Sequence, residues 1–270
     1  MIGHDSVGSG PQRIIVLNDW MCDTSTWDGA RAYLDRDRFT WAFADLRGYG
    51  RSRDLQGEYN VAEAAADVVS LADALGWQKF ALVGHSMSTL VALHVAQNHP
   101  DSLDRVVLLT PPPPRGFGAD AARVESMRGV ALGDDSRRIA ILKMMWGDRL
   151  SEGWIRFKAA RWRATSEPAA VADYVAMFAR DGVPDPSARV AVPVLAVTGE
   201  HDAEPMRRDA VTAAFGPLCD HLVVESLADS GHYPMQEAPP LLVTLVERFL
   251  ASAVDPTAAT IAPRAAAPRV

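Results

Sequence analysis

Phe80-Ala-Leu-Val-Gly84-His-Ser86-Met-Ser88-Thr-Leu-Val-Ala-Leu93 is the stretch whose reading decides the fold. Phe80 to Val83 is a short apolar run that reads as a buried strand, and Leu90 to Ala96 reads as an apolar helix. Between them Ser86 is flanked, two residues away on either side, by the small residues Gly84 and Ser88. A strand turning sharply into a helix around such a serine is the setting of a nucleophile elbow. The chain folds back so tightly there that larger flanking side chains would strike the neighbouring backbone. The turn strains the serine, exposes its Oγ and sets it at a helix N-terminus. Free N–H groups and the helix dipole favour developing negative charge at that point.

The bulk properties narrow what such a serine can belong to. With 270 residues, 48% hydrophobic and 23% charged, the chain has the size and composition of one large α/β domain with room for an inserted cap. A net charge of −7 leaves no basic excess to neutralise phosphates, so no nucleic-acid partner is expected. No apolar run reaches the ~18 residues of a transmembrane helix. Met1-Ile-Gly-His-Asp5 lacks the basic and apolar regions of a signal peptide. Cys22 and Cys219, far apart, read as free thiols rather than a disulfide framework, and no Cys/His cluster has zinc-ligand spacing. The expectation is a cytoplasmic protein without a membrane or metal, acting as a monomer or homodimer.

The rest of the chain alternates strand and helix. Residues 1–12 read as a polar lead-in, and Arg13–Leu17 as the first buried parallel strand. A helix is expected around Trp27–Leu34 and a strand over Phe39–Ala44. Asn60 and Glu63 fit a capping box opening a helix whose apolar positions run from Val61 to Leu75, closed by Gly76. After a strand over Arg105–Leu109 the alternation stops at Thr110-Pro-Pro-Pro-Pro-Arg115, which can enter neither a ladder nor a helix interior. Strands resume at Val192–Thr198 and His221–Glu225, and a helix over Pro240–Ala253 closes the fold. This order predicts a mostly parallel sheet with helices on both faces. Residues 1–110 and 188–254 form the core, residues 111–187 a helical lid over the strand C-termini, and residues 255–270, rich in Ala, Pro and Thr, a disordered tail.

A serine hydroxyl needs an adjacent base held by a third group. Asp202, in Thr198-Gly-Glu-His-Asp202, and His232, in Ser230-Gly-His232, both follow strands, in the order Ser, Asp, His. With Asp45-Leu-Arg-Gly-Tyr-Gly-Arg-Ser52, these motifs make the chain resemble the α/β-hydrolase superfamily over residues 10–253. The likeness is to its lidded esterases, C–C bond hydrolases, haloperoxidase-like enzymes and proline iminopeptidases. The resemblance implies Ser86 as nucleophile, His232 as general base and then acid, and Asp202 as the orienting carboxylate; Glu200 and Glu204 are off the motif. It also implies an oxyanion hole made by the backbone N–H groups of Trp20 and Met87, with no cofactor.

The sequence departs from that pattern in two places. Asn18-Asp19 stand where the family has His-Gly, so Asp19 brings a carboxylate to the hole and is expected to modulate it. Asp and Asn tolerate left-handed backbone, which would let the loop keep its geometry. Ser88 replaces the usual Gly, which resembles the Ser-x-Ser elbow of a bacterial stress-regulator hydrolase and of the plant strigolactone and karrikin receptors, as does the loop Asp23–Trp27. In the lid, Met144, Met145, Trp146, Trp154, Phe157, Trp162 and Phe178 have core spacing, and Trp146 and Trp154, with Tyr233, are expected to line the substrate pocket. Arg156, Lys158, Arg161 and Arg163 read as a solvated helix face. The reading is a serine hydrolase cleaving a small apolar or aromatic ester, lactone or C–C bonded acyl substrate. Its alternatives are a slow-hydrolase ligand sensor and, from the Trp20 loop, a cofactor-independent dioxygenase using the His232–Asp202 pair.

Overall fold

The sheet carries the site at one edge, and its strands are those of the apolar runs. The computed structural model describes residues 1–146 and 149–252. Among them lie β1 (His4–Val7), β2 (Gln12–Leu17), β3 (Phe39–Ala44), β4 (Phe80–His85), β5 (Leu103–Leu109), β6 (Val194–Gly199) and β7 (Leu222–Leu227). They pair in the order β1-β3-β2-β4-β5-β6-β7, and all pairs are parallel except β1 with β3. Every residue of β3, β4 and β6 is buried, because helices cover both faces and leave no polar alternation along these strands. Among the described residues no helix is long and apolar enough to cross a membrane.

Three local expectations are corrected. The polar lead-in contains β1, whose His-Asp-Ser-Val carries no apolar run because it is a half-buried edge strand paired antiparallel to Trp41–Ala44. The helix expected around Trp27–Leu34 is two 3₁₀ turns, Thr24–Trp27 and Arg31–Tyr33. Their i→i+3 bonds run from Asp28 N to Ser25 O (3.0 Å) and from Tyr33 N to Ala30 O (3.0 Å). Asp28-Gly29, a pair of weak helix formers, separates them. The helix α1 (Val61–Ala74) starts at Asn60, whose Oδ1 accepts from Glu63 N at 2.9 Å. Glu63, however, reaches back past Asn60 to the N–H groups of Glu58 and Tyr59, turned towards it by the left-handed backbone of Tyr59.

Helix α2 (Ser88–Asn98) follows β4 directly. Between β5 and β6 the chain leaves the sheet and builds α3 (Ala121–Ala131), α4 (Asp135–Trp146), α5 (Glu152–Thr165) and α6 (Pro168–Ala176), then a π turn over Met177–Asp181. The side chains of Asp120 and Ser151 cap α3 and α5, and Pro168 opens α6 at the position where no N–H is needed. This insertion is fastened to the core where Glu167 N donates to Gly48 O (2.7 Å) and Tyr49 bridges Ser166. Helices α7 (Arg208–Phe215), α8 (Pro234–Glu237) and α9 (Pro239–Ala251) complete the described chain. The tail expected over 255–270 lies outside the described residues.

Candidate active site

Ser86 sits between β4 and α2 with φ 53°, a left-handed backbone that a non-glycine residue adopts only when its surroundings impose it. What imposes it is the close approach of the turn. A Cβ on Gly84 would lie 2.5 Å from the carbonyl oxygen of Ser88, so only glycine fits. Ser86 N donates to Leu109 O on the neighbouring strand (2.9 Å). The Ser88 hydroxyl accepts from His85 N (2.9 Å) and donates to His85 O (3.1 Å), tying the two arms of the elbow together. Ser88 is thus more than a small residue here: its hydroxyl does local structural work.

The three residues expected to act together do meet. His232 Nε2 accepts from the Ser86 hydroxyl at 2.8 Å, and His232 Nδ1 donates to Asp202 Oδ2 at 2.9 Å. Asp202 and His232 are buried while Ser86 is half-buried. The loops after β6 and β7 can carry them together because Gly199 has no side chain. A Cβ there would lie 2.2 Å from Gly231 O. Burial alone would lower the pKa of His232, but the charge and hydrogen bond of Asp202, with Asp19 and Glu237, carry it above the ordinary 6.5.

Four residues that sequence reasoning missed hold His232 in place, directly or through one another. Glu237 Oε2 accepts from Gly231 N (2.8 Å) and Oε1 from Tyr233 N (2.9 Å), gripping the backbone on both sides of the histidine. Arg149 of the insertion pairs with the same carboxylate. The His232 carbonyl is held by His85 Nε2 (2.7 Å) and Thr110 Oγ1 (3.3 Å). Since a carbonyl only accepts, His85 carries its proton on Nε2, and burial pushes its pKa down to about 4. The available signals were His85 inside the elbow motif and Glu237 one helical turn beyond Tyr233.

The loop after β2 is built by its two unusual residues. Asn18 Nδ2 donates to the carbonyls of Asp19 (2.8 Å) and Cys22 (3.1 Å), and its Oδ1 accepts from Leu46 N (2.8 Å). Asp19 Oδ1 accepts from Met21 N (3.0 Å) and Cys22 N (2.9 Å). Asp19 is absent from the left-handed region, so the loop does not exploit the tolerance expected of it. Trp20 is pinned by its indole N–H to Val171 O (2.7 Å) and by its carbonyl to the Tyr49 hydroxyl (2.8 Å). Among the described residues neither Trp20 N nor Met87 N meets a hydrogen-bond acceptor.

The family model described as alpha/beta hydrolase fold matches residues 21–239. The chain belongs to the alpha/beta hydrolase fold family. A solved hydrolase from Oleispira antarctica superposes on this alpha/beta hydrolase with a TM-score of 0.79, covering 92% of this chain and 94% of that one at 16% identity. An uncharacterized protein of Mycobacterium tuberculosis is 26% identical over 271 residues, 90% of this chain and 76% of its own length. The 2-heptyl-3-hydroxy-4(1H)-quinolone dioxygenase of Mycobacteroides abscessus is 31% identical over 118 residues, 42% of this chain and 44% of its own.

The alpha/beta hydrolase core and the insertion enclose a cavity of about 350 Å³ lined by Ser86, His232, Asp19, Trp20 and Tyr233. The insertion adds Met127, Ile141, Met144, Met145 and Phe178. Trp146 and Trp154 are not on its wall, contrary to expectation. Trp146 stacks behind Tyr233 (5.2 Å between ring centroids) and aims its N–H at Glu237, while Trp154 packs on Trp146 (5.1 Å). Flexible methionines take the wall instead. The solvated basic face holds for its three arginines and is corrected at Lys158 alone. Arg156, Arg161 and Arg163 pair with Glu152, Asp23 and Asp135, but Lys158 is only 1% exposed and points into the core.

Proposed function

We propose that this protein is a serine hydrolase acting on a small, largely apolar acyl compound, an ester or lactone, through an acyl-enzyme on Ser86. The observation that carries the proposal is the continuous relay from Ser86 Oγ to His232 to Asp202, at 2.8 and 2.9 Å, opening into an apolar cavity. With Nδ1–H held by Asp202, Nε2 presents its lone pair to the serine proton. Ser86 Oγ attacks the acyl carbon as its proton passes to His232. The N–H groups of Met87 and Trp20 receive the oxyanion, and His232 then protonates the leaving oxygen. Water attacks the acyl-enzyme, gives its proton to His232, and the acid departs as Ser86 recovers its hydrogen. Every proton moves between the chain's own groups, substrate and water. Helices α3 to α6 serve as the lid whose methionine-rich underside receives the apolar part of the substrate.

The test is adduct mapping by mass spectrometry after treatment with a fluorophosphonate, followed by an ester and lactone screen. A single adduct on Ser86, lost in Ser86→Ala, with turnover of at least one short acyl ester, is the expected result. An unlabelled Ser86 with an intact fold overturns the reading.

A second reading has one observation in its favour, the likeness to the quinolone dioxygenase over residues that span less than half the chain. In it the His232–Asp202 pair removes an acidic proton from a heteroaromatic substrate, and Ser86 is never acylated. Oxygen uptake with a hydroxyquinolone, persisting in Ser86→Ala, would favour it.

A further inference from the structure

Lys158 stands in the middle of α5, yet its side chain is 1% exposed and crosses from the insertion into the core. Its ammonium lies 4.0 Å from Asp19 Oδ2, 3.3 Å from Thr26 Oγ1 and 3.8 Å from the centre of the Tyr233 ring. Asp19 is equally buried. Its Oδ1 is occupied by two backbone N–H groups, and its Oδ2 receives the Tyr233 hydroxyl. His85 Nδ1, 3.8 Å from Oδ2, has no partner and, being the unprotonated nitrogen, gives that oxygen nothing. Lys158 is therefore the cation that Asp19 faces, and Asp19 is the residue before Trp20, on the wall shared with Ser86.

We infer that Lys158 is a positioning residue of the active site: brought in by the insertion, its ammonium balances the Asp19 carboxylate beside the oxyanion position, so the site is electrically complete only when α5 is docked. The inference deepens the hydrolase reading and rests on it for its kinetic arm. A bare buried carboxylate would oppose negative charge forming on the substrate and would hold His232 in its protonated form. A carboxylate paired with Lys158 does neither, while it still fixes the Met21 and Cys22 amides that shape the loop. Most of the acceptor capacity of Asp19 is already taken within the fold, by Met21 N and Cys22 N on Oδ1 and by the Tyr233 hydroxyl on Oδ2. The buried pair also explains how this loop tolerates an acid where the family places glycine.

The groups facing His232 are Asp202 after β6, Asp19 after β2, His85 on β4 and Glu237 on α8, so its titration reads the balance around Asp19. Those facing Asp19 are Lys158 on α5, His85, His232, Tyr233, Tyr49 and Cys22. The experiment compares wild type, Lys158→Met, Asp19→Asn and the double variant by nitrogen-15 NMR titration of His232 and by the rate of fluorophosphonate labelling of Ser86. In Lys158→Met the His232 midpoint is expected to move up by about one pH unit and labelling to slow by about 100-fold, the scale of losing one oxyanion donor. Asp19→Asn moves the midpoint down, and the double variant, uncharged at both positions, returns it towards wild type and recovers labelling to within about tenfold. A double variant as slow as Lys158→Met, or a His232 midpoint unmoved across the set, overturns the inference. If Lys158→Met does not fold, Asp19→Asn and the double variant decide by the same titration. A wild type whose Ser86 takes no label refutes the hydrolase reading, and the NMR arm still judges the pair.

Discussion

His232 is held at its ring, its carbonyl and the amides on either side, and in the proposed hydrolase each hold would serve proton transfer at one nitrogen. The ring hold sets the tautomer. Asp202→Asn, which offers an N–H where Nδ1 needs an acceptor, should lower kcat by about 10⁴-fold while the fold survives, and Ser86→Ala or His232→Ala should cost at least as much. Steady-state rates on an ester found by the screen check all three. The base must be neutral to act, and its pKa is raised, so kcat/KM should fall on the acid side through a midpoint above 6.5. A midpoint below the ordinary imidazole value would contradict the assignment of Asp202, Asp19 and Glu237 as the charges that surround it.

At the scale of elements, α8 shows how one short helix secures the loop that carries His232. Glu237 ends it, side chain 3% exposed, accepting two N–H groups and the Arg149 guanidinium. Removing that carboxylate in Glu237→Ala leaves buried donors without acceptors, at about 1–3 kcal/mol each. The expected result is a loss of about 2–4 kcal/mol in urea unfolding together with a lower kcat at nearly unchanged KM. Elements also show where the sequence was legible. The strands β2 to β6 announced themselves because burial on both faces writes a continuous apolar run, and Ser86, Asp202 and His232 because each follows a strand at the same edge. Trp146, Trp154 and Lys158 were misplaced for one reason. Their positions depend on how α4 and α5 rotate against the core, and a helix with apolar and basic residues mixed around it gives no single face to read. Glu237 and Thr110 act through main-chain amides and carbonyls, contacts that residue types do not encode.

The whole molecule carries a pH dependence of its own. His85 is neutral in the folded protein down to about 4, whereas in the unfolded chain it titrates near 6.5. Between those values the unfolded state binds the extra proton, so stability is full above 6.5 and declines as the pH falls towards 4, by about 3 kcal/mol from this group. Urea midpoints measured across that window should show the slope, and His85→Gln, which keeps a donor to the His232 carbonyl, should flatten it. The two cysteines lead somewhere different. Both are free and buried, and burial pushes the Cys22 thiol up to about 11 and the Cys219 thiol up to about 12, so neither is a reactive thiolate in the native state. Cys22 lies beneath the insertion beside Asp19, and Cys219 lies before β7, at the opposite edge of the sheet. Each is thus a clock for a different opening. Alkylation at Cys22 that outruns alkylation at Cys219 would time the parting of the helical insertion from the core, and equal rates would mean that the molecule opens only as a whole.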